Sequence, residues 1–455
     1  MDADKVQESN RLGWGRLTLF ASGDFACNLY WQSLIFYLFF FYTETLGLPA
    51  ATAGLVYMIG SFWDGLADLA VGLRAERSGA QGGYRRFVGR GAVPLGLAFI
   101  LLYFAPPFGL AALTVFALAV HFLFRTLYAT VNVPYSALTT RISDNSRDRA
   151  TISGLRMLFG TAAAGAVALF TPRIGLLFGQ ASESTGSFLT AAIIFALAAT
   201  AILLMVAAKT PERLPVATTQ TRHSLAVCAR VLLRNRAFVT LNLAMVAIVI
   251  GVTILTKSVL YYFTYSIGDT AAGSAALALM AVAGTAFVPL WMVVERRIGT
   301  RAIWFVSTAV ALSAIGAYTA LRGGGAIATQ AFLVAMQAGV VGVNFAFWAI
   351  LPDTVEYGEH RQGVRVEAMA FGVAALIQKL ALGLAAGLMG LIYSAVGYVA
   401  HADQTAETLA GMRWSMLLIP AIGFILSALV MIANPLRRGT HAAIVADLAR
   451  SREVG

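Results

Sequence analysis

Charged residues are scarce in this chain. Asp, Glu, Lys and Arg make up 12% of its 455 residues, about half the share found in ordinary soluble domains. Together with 59% hydrophobic residues and a mean hydropathy of +0.75, that shortage excludes a typical globular protein of the aqueous phase. It also excludes intrinsic disorder, which requires low hydrophobicity and high charge. Cysteine is nearly absent: Cys27 falls in an apolar run and Cys228 in a basic loop, so there is no disulfide framework. The five histidines are scattered without HExxH or other metal-ligand spacing, and no GxGxxG, Walker or GxSxG sequence occurs. An enzyme built on a nucleophile or a metal cluster is therefore not expected, and no cofactor is implied. A net charge of +11 would suit nucleic acid if it were concentrated. Here the basic residues are dispersed among short loops, so no nucleic-acid partner is expected. No cleavable signal is expected, because residues 1–11 are polar and the apolar stretch after them is too long for a signal core.

What the chain has in abundance is apolar runs of about 20 residues, long enough to cross a bilayer as a helix. They lie at 14–43, 52–73, 88–105, 110–139, 151–176 and 187–208, and after a polar stretch at 237–267, 271–294, 302–321, 326–351, 367–395 and 411–433. Backbone groups in lipid must be bonded within their own segment, so these spans are expected as helices. Of the 33 Lys and Arg, Arg125, Arg156, Lys257 and Lys379 lie inside spans, and Arg173, Arg322 and Arg413 fall in the loops of one side. All the others sit with the two termini on the opposite side, which the positive-inside rule assigns to the cytoplasm. The expectation is an all-α integral protein of the cell (inner) membrane with twelve transmembrane helices, both termini cytoplasmic, and the lipid bilayer as its surroundings. Residues 1–208 form one six-helix bundle, 209–236 a central cytoplasmic loop, 237–433 a second bundle and 434–455 a cytoplasmic tail. The central loop and tail are basic and read as solvated.

The two halves echo each other. Phe40-Phe41-Tyr42-Thr43-Glu44-Thr45-Leu46-Gly47, at the end of span 1, resembles Tyr261-Tyr262-Phe263-Thr264-Tyr265-Ser266-Ile267-Gly268 at the end of span 7. Pro134 in span 4 matches Pro352 at the end of span 10, and Arg156 with Gly160 matches Lys379 with Gly383. Three matches in register argue for a 6+6 duplication. Parallel six-span halves around a midplane site are a transporter architecture, in which the halves rock against each other.

A charge at a helix centre costs roughly 2.5–3.5 kcal/mol on insertion scales, so intramembrane charges are functional candidates. Asp64 and Asp68 stand four residues apart in span 2, which stacks their carboxylates on one helix face. Two adjacent carboxylates repel unless a proton, a cation or a basic group lies between them. That is what a site for a coupling H⁺ or Na⁺ needs; salt bridging to neighbouring helices is the structural alternative. Asp24 in span 1 is followed by Asn28 and Gln32 at helical spacing, a polar stripe that suits a cavity wall or helix–helix hydrogen bonding. Arg156 and Lys379 occupy equivalent places in the two halves and can pair with these acids. Arg125 and Tyr128 precede Asn132 in span 4, and Lys257 is the fourth buried base. For Arg125 and Lys257, snorkelling to the interface is the alternative. Four bases against three deep acids leave one positive charge over, which suits an anionic solute.

These residues carry a resemblance to a known family. Trp63-Asp64 through Asp68, with Gly72, Arg77, Gly83, Arg85, Arg86 and Pro94, resembles one motif segment of the glycoside–pentoside–hexuronide:cation symporters, the melibiose-carrier group of the major facilitator superfamily. Asn132-Val133-Pro134-Tyr135-Ser136-Ala137-Leu138, followed by Arg149 and Arg156, resembles a second. Asp353-Thr354-Val355-Glu356-Tyr357-Gly358-Glu359, then Gly363, Arg365 and Glu367, resembles a third, and Lys379 follows at the family spacing. The resemblance implies that Asp64 and Asp68 carry the coupling cation. It implies that Asp24 and Asn132 face the substrate, with Arg156 and Lys379 beside them and Tyr128 lining the same pocket.

The chain also departs from the family pattern. Melibiose carriers have an Asp where this chain has Asn132 and a sugar-stacking Trp where it has Ser136. A Thr that helps hold Na⁺ is replaced by Ala129, and a Gly one turn earlier by Arg125. These changes count against galactoside recognition and against a Na⁺ site of the usual kind. If its guanidinium reaches Asp64 and Asp68, Arg125 takes the place of Na⁺. The reading is a secondary transporter that imports a sugar-like solute (glycoside, pentoside or hexuronide) by alternating access, with H⁺ favoured over Na⁺. The alternative is a carrier of an anionic organic solute or lysolipid-like amphiphile, with Arg125 and Lys257 on the anion. A non-transporting sensor or scaffold would carry a large soluble output domain.

Overall fold

The computed structural model describes residues 12–143, 146–180, 184–212, 225–321, 324–364 and 366–437, with positions 444, 447 and 450 beyond. Arg322, Arg365, residues 213–224 of the central loop and most of the tail lie outside the described residues, as do the side chains of Arg77 and Arg149. All regular structure among the described residues is helical. Helix α1 (Trp14–Ser33) continues through two π turns, Leu34–Leu38 and Phe41–Thr45. It is followed by α2 (Ala50–Gly82), α3 (Arg85–Leu102), α4 (Leu110–Ile142), α5 (Ser146–Leu177) and α6 (Thr185–Lys209). A short α7 (Leu225–Arg234) leads into α8 (Arg236–Tyr261), which ends in a π turn at Tyr262–Ile267. Then come α9 (Thr270–Ile298), α10 (Thr300–Ala320), α11 (Ala326–Gln362), α12 (Glu367–Ala395) and α13 (Ala406–Ile432).

The twelve long helices are the twelve expected spans. Nine of them, α4–α6 and α8–α13, meet a strict test of length and apolarity for crossing a membrane. Helices α1, α2 and α3 lie outside that group, and they carry Asp24, then Asp64 with Asp68, then Arg85, Arg86 and Arg90. Large apolar side chains such as Leu66, Leu97, Val115, Leu197, Ile327 and Leu429 point outward, the arrangement of a chain whose solvent is lipid. The central segment differs from the solvated loop expected for it. It holds α7, whose Cys228, Val231 and Leu232 are buried.

The chain forms two compact units, residues 1–219 with 389–403, and residues 220–388 with 404–455. In the first, α1 packs on α5 and α6, α2 on α4, and α3 on α4 and α6. In the second, α8 packs on α13, and α9 and α10 both pack on α11. Counted in spans, the second with the fourth, the third with the fourth and the first with the sixth are partners in both units. The sequence echo also reappears in the backbone. The π turn at Phe41–Thr45 corresponds to that at Tyr262–Ile267, and each is closed by a backbone N–H reaching five residues back, Leu46 to Phe41 and Gly268 to Phe263.

Several motif residues hold helix ends. Glu212, just past α6, accepts hydrogen bonds from the backbone N–H groups of Tyr84 (2.7 Å) and Arg85 (3.2 Å) at the start of α3, and from the Arg141 guanidinium at 3.3 Å. Acid at a helix N-terminus satisfies free N–H groups and the helix dipole together. Gly83 adopts φ +77°, and a Cβ there would run into the Glu212 carboxylate. Arg85 in turn donates to the Thr210 carbonyl at 2.8 Å, capping α6.

Candidate functional site

Asp24 sits midway along α1 and gathers three helices around it. The Arg156 guanidinium of α5 grips its carboxylate through Nε and through Nη2, the latter 3.3 Å from Oδ1. Arg156 Nη1 donates to Thr139 Oγ1 at 2.7 Å, and its guanidinium lies 5.2 Å from the Tyr135 ring centroid. The Tyr135 hydroxyl of α4 is shared between the Phe20 carbonyl (2.8 Å) and Asp24 Oδ2 (3.1 Å). That approach needs Gly23, because a Cβ there would overlap the Tyr135 ring. The polar stripe on α1 is a hydrogen-bonded ladder, with Asn28 donating to the Asp24 carbonyl (2.9 Å) and Gln32 to Asn28 (3.4 Å). Asp24, Asn28, Ser153, Arg156, Met157 and Gly160 wall a cavity of 370 Å³. A carboxylate, a guanidinium and an amide on one wall offer acceptors and donors together, which is what a hydroxyl-rich solute requires.

Tyr128 and Asn132 stand on α4 but do not belong to that wall. Tyr128 is buried in a stack, 5.6 Å from Trp31 and 5.8 Å from Phe124 between ring centroids, while Asn132 is half-buried.

The second centre joins α2 and α4. Asp64 is fully buried and Arg125 is 1% exposed. Arg125 Nη1 donates to Asp64 Oδ2 at 3.2 Å, the reach from α4 to α2 that the sequence reading anticipated for Asp64. Arg125 therefore does not snorkel. Its Nε donates to His121 Nε2 at 3.1 Å, and its guanidinium carbon lies 5.1 Å from the Trp31 ring and 5.8 Å from that of Tyr57. The buried charge is thus met by a carboxylate, an imidazole and two aromatic faces, the compensation that a charge out of water demands. Asp68 is half-buried one turn further along α2, and Ala129, one turn after Arg125, presents no oxygen.

Lys257 and Lys379 belong to the second unit. Lys257 is buried at 3% exposure, which sets aside snorkelling for it as well, and Lys379 is half-buried.

Three residues escaped the sequence reading. His121 was one of five scattered histidines, yet it lies four residues before Arg125, on the same face of α4. Glu44 looked like the end of a span but is 4% exposed and accepts a hydrogen bond from the Tyr398 hydroxyl. His401 closes over its backbone carbonyl. Glu44 is a buried acid that the count of charges within the spans left out.

Two helix-bundle units that share three span pairings, and acids paired to bases inside the spans, describe a solute carrier. Residues 19–438 match the family described as MFS/sugar transport protein. The chain belongs to the MFS/sugar transport protein family. It is 27% identical over 435 residues to the isoprimeverose transporter of Lactiplantibacillus pentosus, covering 94% of this chain and 90% of that one. It is 26% identical over 454 residues to the glucuronide carrier protein homolog of Escherichia coli (strain K12), covering 98% of each. Among solved structures, a bacterial homolog of the human lysosomal transporter Spinster, inward-facing and occupied, superposes with a TM-score of 0.66 at 13% identity, over 92% of this chain and 95% of that one. That likeness concerns the fold. The protein is a multi-pass membrane transporter of the sugar-symporter kind, not an enzyme.

Proposed function

We propose that this transporter imports a hydroxylated, sugar-like solute together with H⁺ across the cell membrane, its termini in the cytoplasm. The bodies that alternate are 1–208 and 237–433, linked by 209–236 and followed by the tail 434–455. Asp24 and Arg156 hold the solute, with Tyr128 and Asn132 on the neighbouring face of α4; Lys379 is the substrate-binding candidate of the second half. Asp64 and Asp68 are the acids of the cation-coupling centre. The observation that carries the choice of cation is the buried Arg125–Asp64 pair. A guanidinium at Asp64 stabilises the carboxylate as Na⁺ would and repels a second cation, while the Ala129 side chain withholds an oxygen ligand. A proton remains exchangeable. The names of the relatives include both a neutral and an acidic sugar. With Arg156 engaged on Asp24 and Arg125 on Asp64, an acidic sugar would require a base beyond these two.

A thermal-shift screen of the purified protein against neutral glycosides and pentosides, uronates and sulfonated sugars, each with and without Na⁺, tests the proposal. Stabilisation by sugars that is equal in the two salts is expected. Stabilisation that depends on Na⁺ would overturn the choice of cation.

A further inference from the structure

His121 has a chemical position that no part of the transport scheme above uses. A guanidinium nitrogen can only donate, so the 3.1 Å contact from Arg125 Nε fixes His121 Nε2 as an acceptor. The ring is therefore neutral, with its proton on Nδ1, where it donates to the Tyr42 hydroxyl at 3.2 Å. Tyr42, His121, Arg125 and Asp64 form one hydrogen-bonded chain running from the second π turn of span 1 through α4 to α2. His121 is fully buried. Among the groups that face it are Arg125 on its own helix, Tyr42 from the π turn, and Tyr57 of α2, which meets it edge-on at 5.5 Å. Asp64 lies one link away, behind Arg125. Gly60 of α2 makes room for the imidazole, since a Cβ there would come within 2.7 Å of it.

We propose that His121 is the group that takes up and releases the transported proton, and that Arg125 is the arm it moves. A proton arriving on Nε2 uses the lone pair that accepts the Arg125 bond. The product is an imidazolium facing a guanidinium, donor against donor and cation against cation, so the guanidinium leaves Nε2. Departure of that proton restores the acceptor and draws Arg125 back; no other bond forms or breaks. Arg125 lies over Trp31, which stacks on Tyr128 and precedes Gln32 on the Asp24 ladder of α1. Movement of the guanidinium is therefore felt first at a ring carried by the solute-binding helix itself. The inference deepens the proton-coupled reading and rests on it.

His121→Gln separates titration from architecture. Glutamine supplies one acceptor for Arg125 Nε and one donor for Tyr42, but it does not titrate near neutrality. The full-length protein is reconstituted on a solid-supported membrane and stepped from about pH 8 to about pH 6 with no sugar present. The expected result is a charge displacement in the unmodified protein, indifferent to Na⁺, that falls to the level of protein-free membranes in H121Q. An undiminished displacement in H121Q overturns the role of His121. If Asp64→Asn alone abolishes it, the proton sits on Asp64, and the inference fails while the proton-coupled reading stands. A displacement evoked by Na⁺ steps and not by pH steps defeats that reading itself. Should H121Q not fold, the same step is applied to unmodified protein labelled with [¹⁵N]histidine. A solvent-shielded imidazole that gains its second ring proton supports the inference, and one that stays neutral overturns it.

Discussion

At the scale of single residues, the decisive fact is that a positive side chain occupies the place beside Asp64. Breaking one partner of a buried ion pair leaves an uncompensated charge and costs about 3–5 kcal/mol, while removing both partners is far milder. Arg125→Gln should therefore destabilise the purified protein more than the double change Arg125→Gln with Asp64→Asn, as read by melting temperature. The same logic predicts a change of ion. Arg125→Gly with Ala129→Thr removes the guanidinium and restores a hydroxyl, so the variant should gain a Na⁺-dependent rise in melting temperature that the parent lacks. At the other centre, Asp24→Asn keeps the shape of the side chain and removes the charge that Arg156 and Tyr135 address. Hydrogen bonds to charged groups contribute about 1.5–3 kcal/mol, so solute affinity should fall about ten- to hundredfold, measured by equilibrium binding. The acids and bases of these centres were legible in the sequence, because charge in an apolar run is conspicuous. His121 was not, because a neutral histidine in a span carries no signal until its neighbour on the next turn is known to donate to it. Glu44 was missed for a related reason: hydropathy placed it at a span's edge, and its burial depends on Tyr398, which is more than 350 residues away in the chain.

At the scale of elements, apolar runs reported where the bilayer lies and not where the helices end. Helix α2 continues to Gly82, α4 to Ile142 and α11 to Gln362, each past the apolar run that announced it, because a helix leaving lipid keeps its backbone bonds whatever side chains follow. Pro134 and Pro352 consequently lie inside their helices, where span lengths had put Pro352 at an end. The amphipathic α7 was too short to register against the basic residues around it. Helix packing in the second unit turns on Gly251. A Cβ on Gly251 of α8 would come within 2.8 Å of Pro420 Cα on α13, where backbone meets backbone. Overpacking of this kind costs about 1–3 kcal/mol, so Gly251→Ala should lower the melting temperature. Gly165→Ala on α5, where nothing lies within 4 Å of the new methyl, should leave it unchanged or raise it slightly.

At the scale of the whole molecule, orientation and coupling are the properties that make the chain a carrier. The distribution of Lys and Arg predicts that reporter fusions after Arg222 and Arg437 are cytoplasmic and those after Leu48 and Ala181 are external. A cytoplasmic reading after Leu48 would invalidate the orientation of the first span and of everything threaded behind it. The repeat was visible from the sequence because matched residues punctuate matched helices, and the equivalent π turns of spans 1 and 7 give that echo a backbone form. The central claim is that Arg125 has taken the place of the metal ion and left the proton as the coupling ion. Uptake of radiolabelled sugar into proteoliposomes, driven by a pH gradient alone, by a Na⁺ gradient alone or by neither, tests it most directly. The account predicts accumulation with the pH gradient, unchanged by Na⁺ and abolished by a protonophore; accumulation driven by the Na⁺ gradient at equal pH would contradict it.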